Sequence, residues 1–246
     1  MLCHHCRNVR SRKLDMKLVR RLAALALVAG AALAAGSAHA ALSGYTTQAA
    51  FDTAIASYGA AQTVDFEGVA DGTTFLTGTG TGGLTFSYAI TGSTLRVDSQ
   101  FTTTSGTQYL GLDNRDTAFY LGDSFTIKFN RTVHAVGLYL VAGADALAGD
   151  LSLSVGGVSV FNSGTEDHLL SDGSRAFYLG LVESDSNLGF TSAMVQMAFT
   201  PSAFLAVTAD DITSAVIGTA PVPEPGTWAL MAGGLAALAT LRRRRG

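Results

Sequence analysis

The chain has 246 residues, with 16 Lys and Arg against 19 Asp and Glu and an apolar share of 48%. This length suits one large domain or two small ones, and the composition excludes a disordered, collagen-like or strongly basic protein. Charge is concentrated by region: five basic residues stand against seventeen acidic ones between residues 41 and 220, a net charge of −12. A segment this acidic should avoid nucleic acid and anionic lipid, and it suits divalent cations or neutral glycans.

The first forty residues have the pattern of an export signal. Basic residues precede an apolar stretch at 22–35, and small residues follow as far as Ala38 and Ala40. A basic start, an apolar stretch too short to span a bilayer comfortably and an A-x-A end are typical of a signal peptide. We therefore predict that signal peptidase cleaves after Ala40, so that the mature chain begins at Ala41.

Both cysteines precede this signal, in the tract Cys3-His4-His5-Cys6. The tract resembles half of a zinc site, but a structural zinc needs four ligands that converge from a folded scaffold, and adjacent histidines cannot all reach one ion. We interpret Met16 as the start of the signal peptide and the residues before it as a discarded leader. The mature chain then has no cysteine, which excludes a disulfide, a thiol nucleophile and a thiolate metal centre.

Residues 46–58 predict one short amphipathic helix near the start of the body. Phe51, Ala54, Ile55 and Tyr58 are spaced so that one face of a helix carries all four. A threonine at the start of this segment supplies the side-chain oxygen that commonly caps a helix N-terminus. After Tyr58 the periodicity changes from helical to alternating, so we expect strands to follow the helix.

The rest of the body alternates apolar and polar residues, which is the pattern of half-buried strands. The clearest runs are 125–129, 151–155 and 158–160, and the last two flank Gly156 and Gly157, which predicts a β-hairpin with a primed turn. Similar runs occur at 63–67, 84–90, 133–141, 176–181, 194–199 and 211–217. Their spacing predicts a mainly β body, a single β-sandwich or jelly roll with one short N-terminal helix.

The aromatic residues of the body are candidates for core or for ligand roles. The pentapeptide Ala-Phe-Tyr-Leu-Gly starts at Ala118 and again at Ala176, which predicts two similar strands. Tyrosine rings can stack on sugar rings, although at strand spacing they more commonly pack in a core. The tyrosines for which both roles stay open are Tyr88, Tyr109, Tyr120, Tyr139 and Tyr178.

Four short motifs mark the body. They are Val64-Asp65-Phe66-Glu67-Gly68, a Gly-Leu-Thr-Phe at 83–86, a central strand at 133–140 that contains Gly137, and Ala209-Asp210-Asp211-Ile212. The pattern is similar to galactose-binding-like jelly rolls, the architecture of several carbohydrate-binding modules. This resemblance extends over roughly residues 63–217 and implies a β-sandwich of a kind used to bind glycans.

The same resemblance implies a metal ion. In such jelly rolls the first and last strands often lie close together and hold a structural calcium with carboxylate and carbonyl oxygens. Glu67 and Asp211 stand at the matching positions, with Asp65 and Asp210 beside them. A structural calcium at Glu67 and Asp211 would connect the two ends of a body that has no disulfide. The same acids are also compatible with solvated strand ends.

The sequence has no recognisable catalytic motif: a serine nucleophile elbow, a His-Glu-x-x-His and a phosphate loop are all absent. The body has two histidines. His134 starts an apolar strand and suits a structural role, whereas His168 follows two acids in a polar loop. Paired carboxylates for glycoside hydrolysis stay open as an alternative, because acids on separate strands can meet in space.

The composition changes sharply after the body. Pro223, Glu224 and Pro225 lie in a proline-rich stretch, which stays extended because proline lacks a backbone donor and disfavours helix before it. The fifteen uncharged residues 227–241 follow; at about 1.5 Å per residue they make a helix of roughly 22 Å, short of the ~30 Å hydrocarbon core. Four arginines after this helix hold the tail in the cytoplasm and leave the body outside. These are Arg242, Arg243, Arg244 and Arg245.

The order of proline motif, apolar transmembrane helix and basic end resembles the PEP-CTERM family of sorting signals, found in Gram-negative bacteria that make exopolysaccharide. The resemblance implies that an exosortase, a membrane cysteine protease of the transpeptidase type, recognises the tail and removes it near Pro223–Pro225. An ordinary C-terminal membrane anchor is the alternative. In both cases the body lies outside the cytoplasm.

We therefore predict three segments: a leader and signal peptide at 1–40, an extracytoplasmic β-sandwich at 41–220 and a sorting signal at 221–246. The first hypothesis is a non-catalytic surface or matrix protein that exosortase processes, that associates with exopolysaccharide in a biofilm and that binds glycan. A secreted glycoside hydrolase on the same scaffold is the alternative, and a homotypic adhesin is a third possibility. The structural calcium is the one cofactor expected, and no nucleic-acid partner is expected.

Overall fold

The computed structural model covers the body. It describes residues 42–59, 61–90, 93–198 and 206–218. The predicted cleavage site at Ala38 and Ala40 and the predicted sorting signal lie outside the described residues. Within the described ranges no helix is long and apolar enough to cross a membrane, and the predicted span at 227–241 falls beyond them.

The described residues form one helix and fourteen strands, so the prediction of a mainly β body with one short N-terminal helix is confirmed. The helix α1 (Gln48–Ile55) follows β1 (Ser43–Tyr45). The next strands are β2 (Gln62–Val64), β3 (Thr74–Phe75), β4 (Leu84–Tyr88), β5 (Leu95–Asp98), β6 (Tyr109–Leu112) and β7 (Ser124–Val133). The remaining strands are β8 (Ala135–Ala142), β9 (Leu151–Val155), β10 (Val158–Phe161), β11 (His168–Leu169), β12 (Arg175–Val182), β13 (Phe190–Met197) and β14 (Val207–Ala215).

These strands form two antiparallel sheets. In sheet A the order is β1-β12-β8-β14-β6-β5-β3, with β11 also paired to β12 and β2 also paired to β14. In sheet B the order is β10-β9-β13-β7-β4. The long strand β8 lies between β12 and β14, so segments that are far apart in the sequence meet at the centre of sheet A.

The inner faces of the two sheets share one hydrophobic core. Val136, Leu138 and Leu140 of β8 belong to it, and Phe125 and Ile127 of β7 contribute from sheet B; all five are at most 1% exposed. Burying a side chain of this size contributes roughly 1.5–3 kcal/mol. The alternate residues of β7 face outward, so the period-two pattern of the sequence is the pattern of this core.

The outer face of sheet A is covered as well, in part by α1. Phe51 of α1 is fully buried and packs over Gly137 of β8 and Gly180 of β12, which are paired across the two strands. A Cβ at Gly180 would lie 2.5 Å from Cδ2 of Phe51, and a Cβ at Gly137 would lie 2.1 Å from the hydroxyl oxygen of Tyr178. The two glycines therefore make room for aromatic rings on a face that most antiparallel sheets expose.

The helix and the hairpin lie where the sequence predicts them. Within the predicted segment 46–58, Thr47 is the N-cap, and its side-chain oxygen accepts a hydrogen bond from the N–H of Ala50 at 3.4 Å. In the β9–β10 hairpin Gly156 and Gly157 have φ angles of 56° and 88°. Positive φ at both central residues is what a type I′ turn requires.

Other parts of the strand prediction are wrong. The pentapeptide copy at Ala118 forms no named strand; Phe119 makes only an isolated bridge to Val207. Its second copy, at Ala176, does lie within β12.

The extents of the strands also differ from the sequence pattern. The predicted run 211–217 overlaps the end of β14, which begins earlier, at Val207. The sequence pattern also fails to predict β1, β3, β5, β6 and β11, because each has only two to four residues and too short an alternation to recognise.

Candidate functional site

Two consecutive acids of β14 face a loop on the outer side of sheet A. The pairing of β14 with β8 shifts between Asp210 and Thr213, which marks a β-bulge, and Asp211 within it has a φ of 50°. Such a bulge re-aims side chains that would otherwise alternate between the two faces. Asp210 and Asp211 therefore both reach the segment 99–108, which joins β5 to β6 and is called the β5–β6 loop below.

The loop supplies the hydrogen-bond donors that these acids need. Asp210 accepts from the backbone N–H groups of Thr104 and Ser105, both at 3.2 Å. Asp211 accepts from the hydroxyls of the same two residues, at 2.9 and 2.7 Å. Asp210 is fully buried. Its burial is the largest cause that raises the pKa of Asp210 to about 7, and the charge of Asp211 is the second. Without the loop the buried carboxyl of Asp210 would keep only the backbone N–H of Asp211 as a donor, so the loop and β14 stabilise each other.

Glu67 holds the other end of the loop. Its Oε1 accepts hydrogen bonds from the backbone N–H groups of Gln108 at 2.6 Å and Thr107 at 2.7 Å. These two bonds hold the pKa of Glu67 below its ordinary value. Gly106 allows the approach, because a Cβ there would lie 2.2 Å from the carboxyl carbon of Glu67. The first motif, through Glu67, and the last motif, through Asp210 and Asp211, therefore both bind the β5–β6 loop by hydrogen bonds.

The predicted calcium ligands, Glu67 and Asp211, therefore contact the same loop. Each of them accepts hydrogen bonds from N–H or O–H donors of that loop. Among the residues that the structure describes, no three His, Cys, Asp or Glu side chains lie close enough together to hold a metal ion. Calcium takes six to eight oxygen ligands, and the acids as placed supply fewer, so calcium at Glu67 and Asp211 stays a prediction.

A cavity of about 260 Å³ lies beside this loop, at the end of sheet A where β8 ends and β12 and β14 begin. Its walls come from the β5–β6 loop, from the turn between β11 and β12 and from the segment after β8. Its floor includes Val141 of β8 and Thr208 of β14. The lining residues are Phe101, Thr102, Val141, Ala142, Gly143, Asp145, Asp172, Ser174, Ala206 and Thr208. The acids that hold the β5–β6 loop therefore also position one wall of the cavity.

Thr208 offers an unused hydrogen-bonding group at the floor. Its neighbours Val207 and Ala209 belong to the core between the sheets, so the side chain of Thr208 points to the opposite face, toward the cavity. Thr208 is 3% exposed, and its Oγ1 has no hydrogen-bond partner within the described residues. A buried hydroxyl without a partner costs about 1–3 kcal/mol. A ligand in the cavity that bonds to the Thr208 hydroxyl would remove this cost.

The rim of the cavity is acidic. Asp172 accepts from the backbone N–H of Ser174 at 2.9 Å, and hydrogen bonds from the hydroxyls of Ser174 and Thr102 help to hold the pKa of Asp172 below its ordinary value. Asp145, from the segment after β8, also lines the cavity. None of the five basic residues in the described part of the chain lines the cavity. The site therefore presents apolar surface, hydroxyls and carboxylates, with no cation.

The aromatic and histidine candidates from the sequence lie elsewhere. Tyr109, Tyr139 and Tyr178 are buried, at most 2% exposed, and none of them lines the cavity. His134 is buried; its Nδ1 accepts the N–H of Ile217 at 3.3 Å, which suits the predicted structural role. His168 packs against the ring of Tyr139, with 5.6 Å between ring centroids.

No local pattern in the sequence indicates the residues of the cavity. Phe101, Thr102 and Asp172 come from two separate loops, and no local spacing connects them with Thr208. The one available signal is a hydroxyl residue in the middle of an otherwise apolar stretch, at Thr208. That signal is weak, because threonine is common in strands.

The tail matches a known sorting signal. Residues 221–245 match the PEP-CTERM protein-sorting motif, which includes Pro223 to Pro225 and the four arginines. The predicted PEP-CTERM tail is confirmed: the motif implies exosortase-targeted export from a membrane-anchored precursor. No curated protein has significant sequence similarity to the chain.

Two solved structures are similar to the body. One is the C-terminal family 22 carbohydrate-binding module of Clostridium thermocellum Xyn10B, with 14% identity over 67% of this chain and 97% of that chain and a TM-score of 0.31. The other is a xylan-binding domain of the same module family, with 15% identity over 67% of this chain and 98% of that chain and a TM-score of 0.31.

Proposed function

We propose that this chain, which carries an exosortase signal at residues 221–245, is a non-catalytic protein of the cell surface or extracellular matrix whose body binds a glycan. Exosortase removes the tail, and the body is retained in, or released into, an exopolysaccharide layer such as a biofilm matrix. The glycan lies in the cavity beside the β5–β6 loop. The acidity of the body supports a neutral or cationic partner, because a net charge of −12 between residues 41 and 220 disfavours anionic partners such as nucleic acid.

The cavity itself is the observation that carries the glycan proposal. Sugars present apolar C–H faces together with hydroxyl groups, and proteins recognise them with an aromatic or aliphatic surface beside a few placed polar groups. Phe101 and Val141 supply the apolar surface, whereas Thr208, Ser174 and Thr102 supply hydroxyls. A volume of about 260 Å³ lies just below the ~300–1,000 Å³ typical of ligand pockets. It suits one sugar ring or a chain end.

The glycan proposal is tested with the mature protein purified from its host, on a glycan array and then by calorimetry with the best glycan. We expect binding without turnover. Thr208→Val keeps the shape of the side chain and removes the unpartnered hydroxyl, so it should weaken binding about tenfold, the effect of one good hydrogen bond. Phe101→Ala should weaken it at least as much.

The matched control is Thr126→Val, on the half-exposed outer side of sheet B, which should leave binding within about twofold of wild type. Absence of binding to every glycan, or equal effects of Thr126→Val and Thr208→Val, would contradict the proposal.

The alternative function is a glycoside hydrolase, and Asp145 and Asp172 in one cavity are the observation that favours it. A hydrolase of this kind needs a carboxylic acid that stays protonated near neutral pH. Asp172 has its pKa lowered. Asp210 has a raised pKa, but it is fully buried and bonded to Thr104. Release of reducing ends from the bound glycan, abolished by Asp145→Asn or Asp172→Asn, would support the hydrolase instead.

A further inference from the structure

The rim of the cavity carries two acidic side chains, which favour a ligand with positive charge over a neutral one. Asp145 and Asp172 reach it from different segments, after β8 and between β11 and β12. Both are exposed at the surface, so both carboxylates are open to a ligand. The pKa of Asp172 is lowered, so this group is negatively charged at neutral pH. A ligand in the cavity therefore meets negative charge at the rim.

Among the described residues, no positive side chain lines the cavity to offset this charge. Arg175 follows Ser174 in the chain, but its guanidinium donates to Glu166 and to the carbonyl oxygens of Gly164 and Ala144. The other basic residues of the described ranges do not line the cavity. An anionic sugar such as a uronate would enter against two carboxylates, whereas a cation would form charge-assisted hydrogen bonds with them.

The floor of the cavity provides independent evidence that a ligand binds here. The side chain of Thr208 lines the cavity and is only 3% exposed, and its Oγ1 has no hydrogen-bond partner among the described residues. A ligand that bonds to this hydroxyl and also pairs its charge with the rim carboxylates carries both a hydroxyl and a cationic group. A simple cation would leave the Thr208 hydroxyl and the apolar surface of Phe101 without a partner.

We propose that the cavity takes an amino sugar with a free ammonium group, as found in a polysaccharide that is partly or fully deacetylated. The ammonium lies between Asp145 and Asp172, the ring lies against Phe101, and a ring hydroxyl bonds to Thr208. This inference rests on the proposed glycan binding and specifies its ligand class. It also gives the acidity of the rim a role that general solubility does not explain.

The test compares three tetrasaccharides of matched length by calorimetry on the mature protein: a glucosamine tetramer, its fully N-acetylated form and a uronic acid tetramer. The glucosamine tetramer should bind about tenfold more tightly than the N-acetylated one, since acetylation replaces the ammonium with a bulkier neutral amide and so removes the charge-assisted bonds. The uronic acid tetramer should bind most weakly. Equal binding of the first two would overturn the amino-sugar inference and leave glycan binding intact; binding of none would overturn both.

Substitutions locate the charge. Asp172→Asn and Asp145→Asn should each lower the ratio of the two affinities, glucosamine tetramer over N-acetylated tetramer, from about ten toward one. The control is Asp71→Asn, an exposed acid between β2 and β3 that does not line the cavity and changes the net charge equally. Tetralysine controls for non-specific attraction to an acidic body. An equal loss in Asp71→Asn, or tetralysine binding as tightly as the glucosamine tetramer, would contradict the proposal.

Discussion

The outer faces of the two sheets differ in both cover and charge. In sheet B the outward residues of β7 and β13 include Thr126, Lys128, Ser192, Met194 and Gln196, all partly or fully exposed. No strand of sheet B contains an Asp or a Glu. In sheet A the strands β6 and β8 are buried along their whole length, and β14 almost so, because α1 and the β5–β6 loop lie over the outer face.

The difference shows where the body can hold function. A covered face must satisfy each polar group that it buries, and sheet A does so for Asp210 with donors from the β5–β6 loop. At the cavity, where the cover stops, the Thr208 hydroxyl has no partner among the described residues, and under the cover the Tyr178 hydroxyl has none either. An open face has no such requirement, since water satisfies its polar groups. We therefore expect the proposed glycan specificity to lie on sheet A.

The largest expected effect comes from removing part of the cover that α1 places over the outer face of sheet A. Phe51→Ala removes a fully buried ring from over Gly137 and Gly180, and we expect a loss of about 3–5 kcal/mol in the free energy of unfolding. The matched control is Phe161→Ala at the edge of sheet B, where the ring is 54% exposed; it should cost less than about 1 kcal/mol. Urea unfolding followed by circular dichroism measures both. Similar losses in the two variants would contradict the asymmetry between the faces.

The same asymmetry explains which strands could be predicted from the sequence. Sheet B has one dry and one wet face, so runs such as 125–129 and 151–155 alternate clearly. At the centre of sheet A both faces are dry, and the run at 133–141 is recognisable only as a continuous apolar stretch. Short strands at its far edge, such as β5 and β6, carry too little pattern for prediction.

Tertiary context decides what identical residues do. Ala-Phe-Tyr-Leu-Gly forms part of β12 at Ala176, where β8 pairs with it, but the copy at Ala118 has only one bridge, to Val207. Local sequence cannot distinguish the two. The candidate site has the same limitation, because the sequence identifies Glu67 and Asp211 as a pair but not Thr208 or Phe101, which meet through loops from distant strands.

The next prediction concerns the β5–β6 loop. Gly106 and Gly156 have nearly equal φ angles, 55° and 56°, so alanine at either position introduces similar backbone strain. At Gly156 a Cβ meets nothing within 4 Å, whereas at Gly106 it meets the Glu67 carboxyl group. We expect Gly156→Ala to cost about 1–2 kcal/mol and Gly106→Ala about 2–3 kcal/mol, because the loop must also shift.

Glycan binding provides a second measurement of the loop. Gly106→Ala should weaken it, since the loop carries Phe101 and Thr102 into the cavity wall, whereas Gly156→Ala should leave it unchanged. Calorimetry on both variants decides the point. If Gly106→Ala weakens neither stability nor binding beyond the level of Gly156→Ala, then Glu67 does not position the loop.

The smallest expected effect concerns a buried hydroxyl under the cover. Tyr109 is fully buried and shares a hydrogen bond of 2.7 Å with the hydroxyl of Thr117. Burial raises the pKa of Tyr109 to about 12 from an ordinary value of 10, and the charge of Asp98 adds to the rise. The folded state therefore favours the protonated phenol. The stability contributed by this group is complete below pH 10 and is lost as the pH rises through 12.

The variant Tyr109→Phe lacks this titration. At pH 7 it should be about 1 kcal/mol less stable than wild type, because it loses the hydrogen bond with Thr117 and a longer one of 3.5 Å to Asp98. The gap should narrow as the pH rises from 10 to 12. Thr126→Val, on the open face of sheet B, should keep a constant offset from wild type over the same range. Urea unfolding at pH 7, 10 and 11.5 measures the three proteins. A gap for Tyr109→Phe that stays constant with pH would mean that the phenol ionises equally well in the folded state, and that the cover over sheet A admits water at β6.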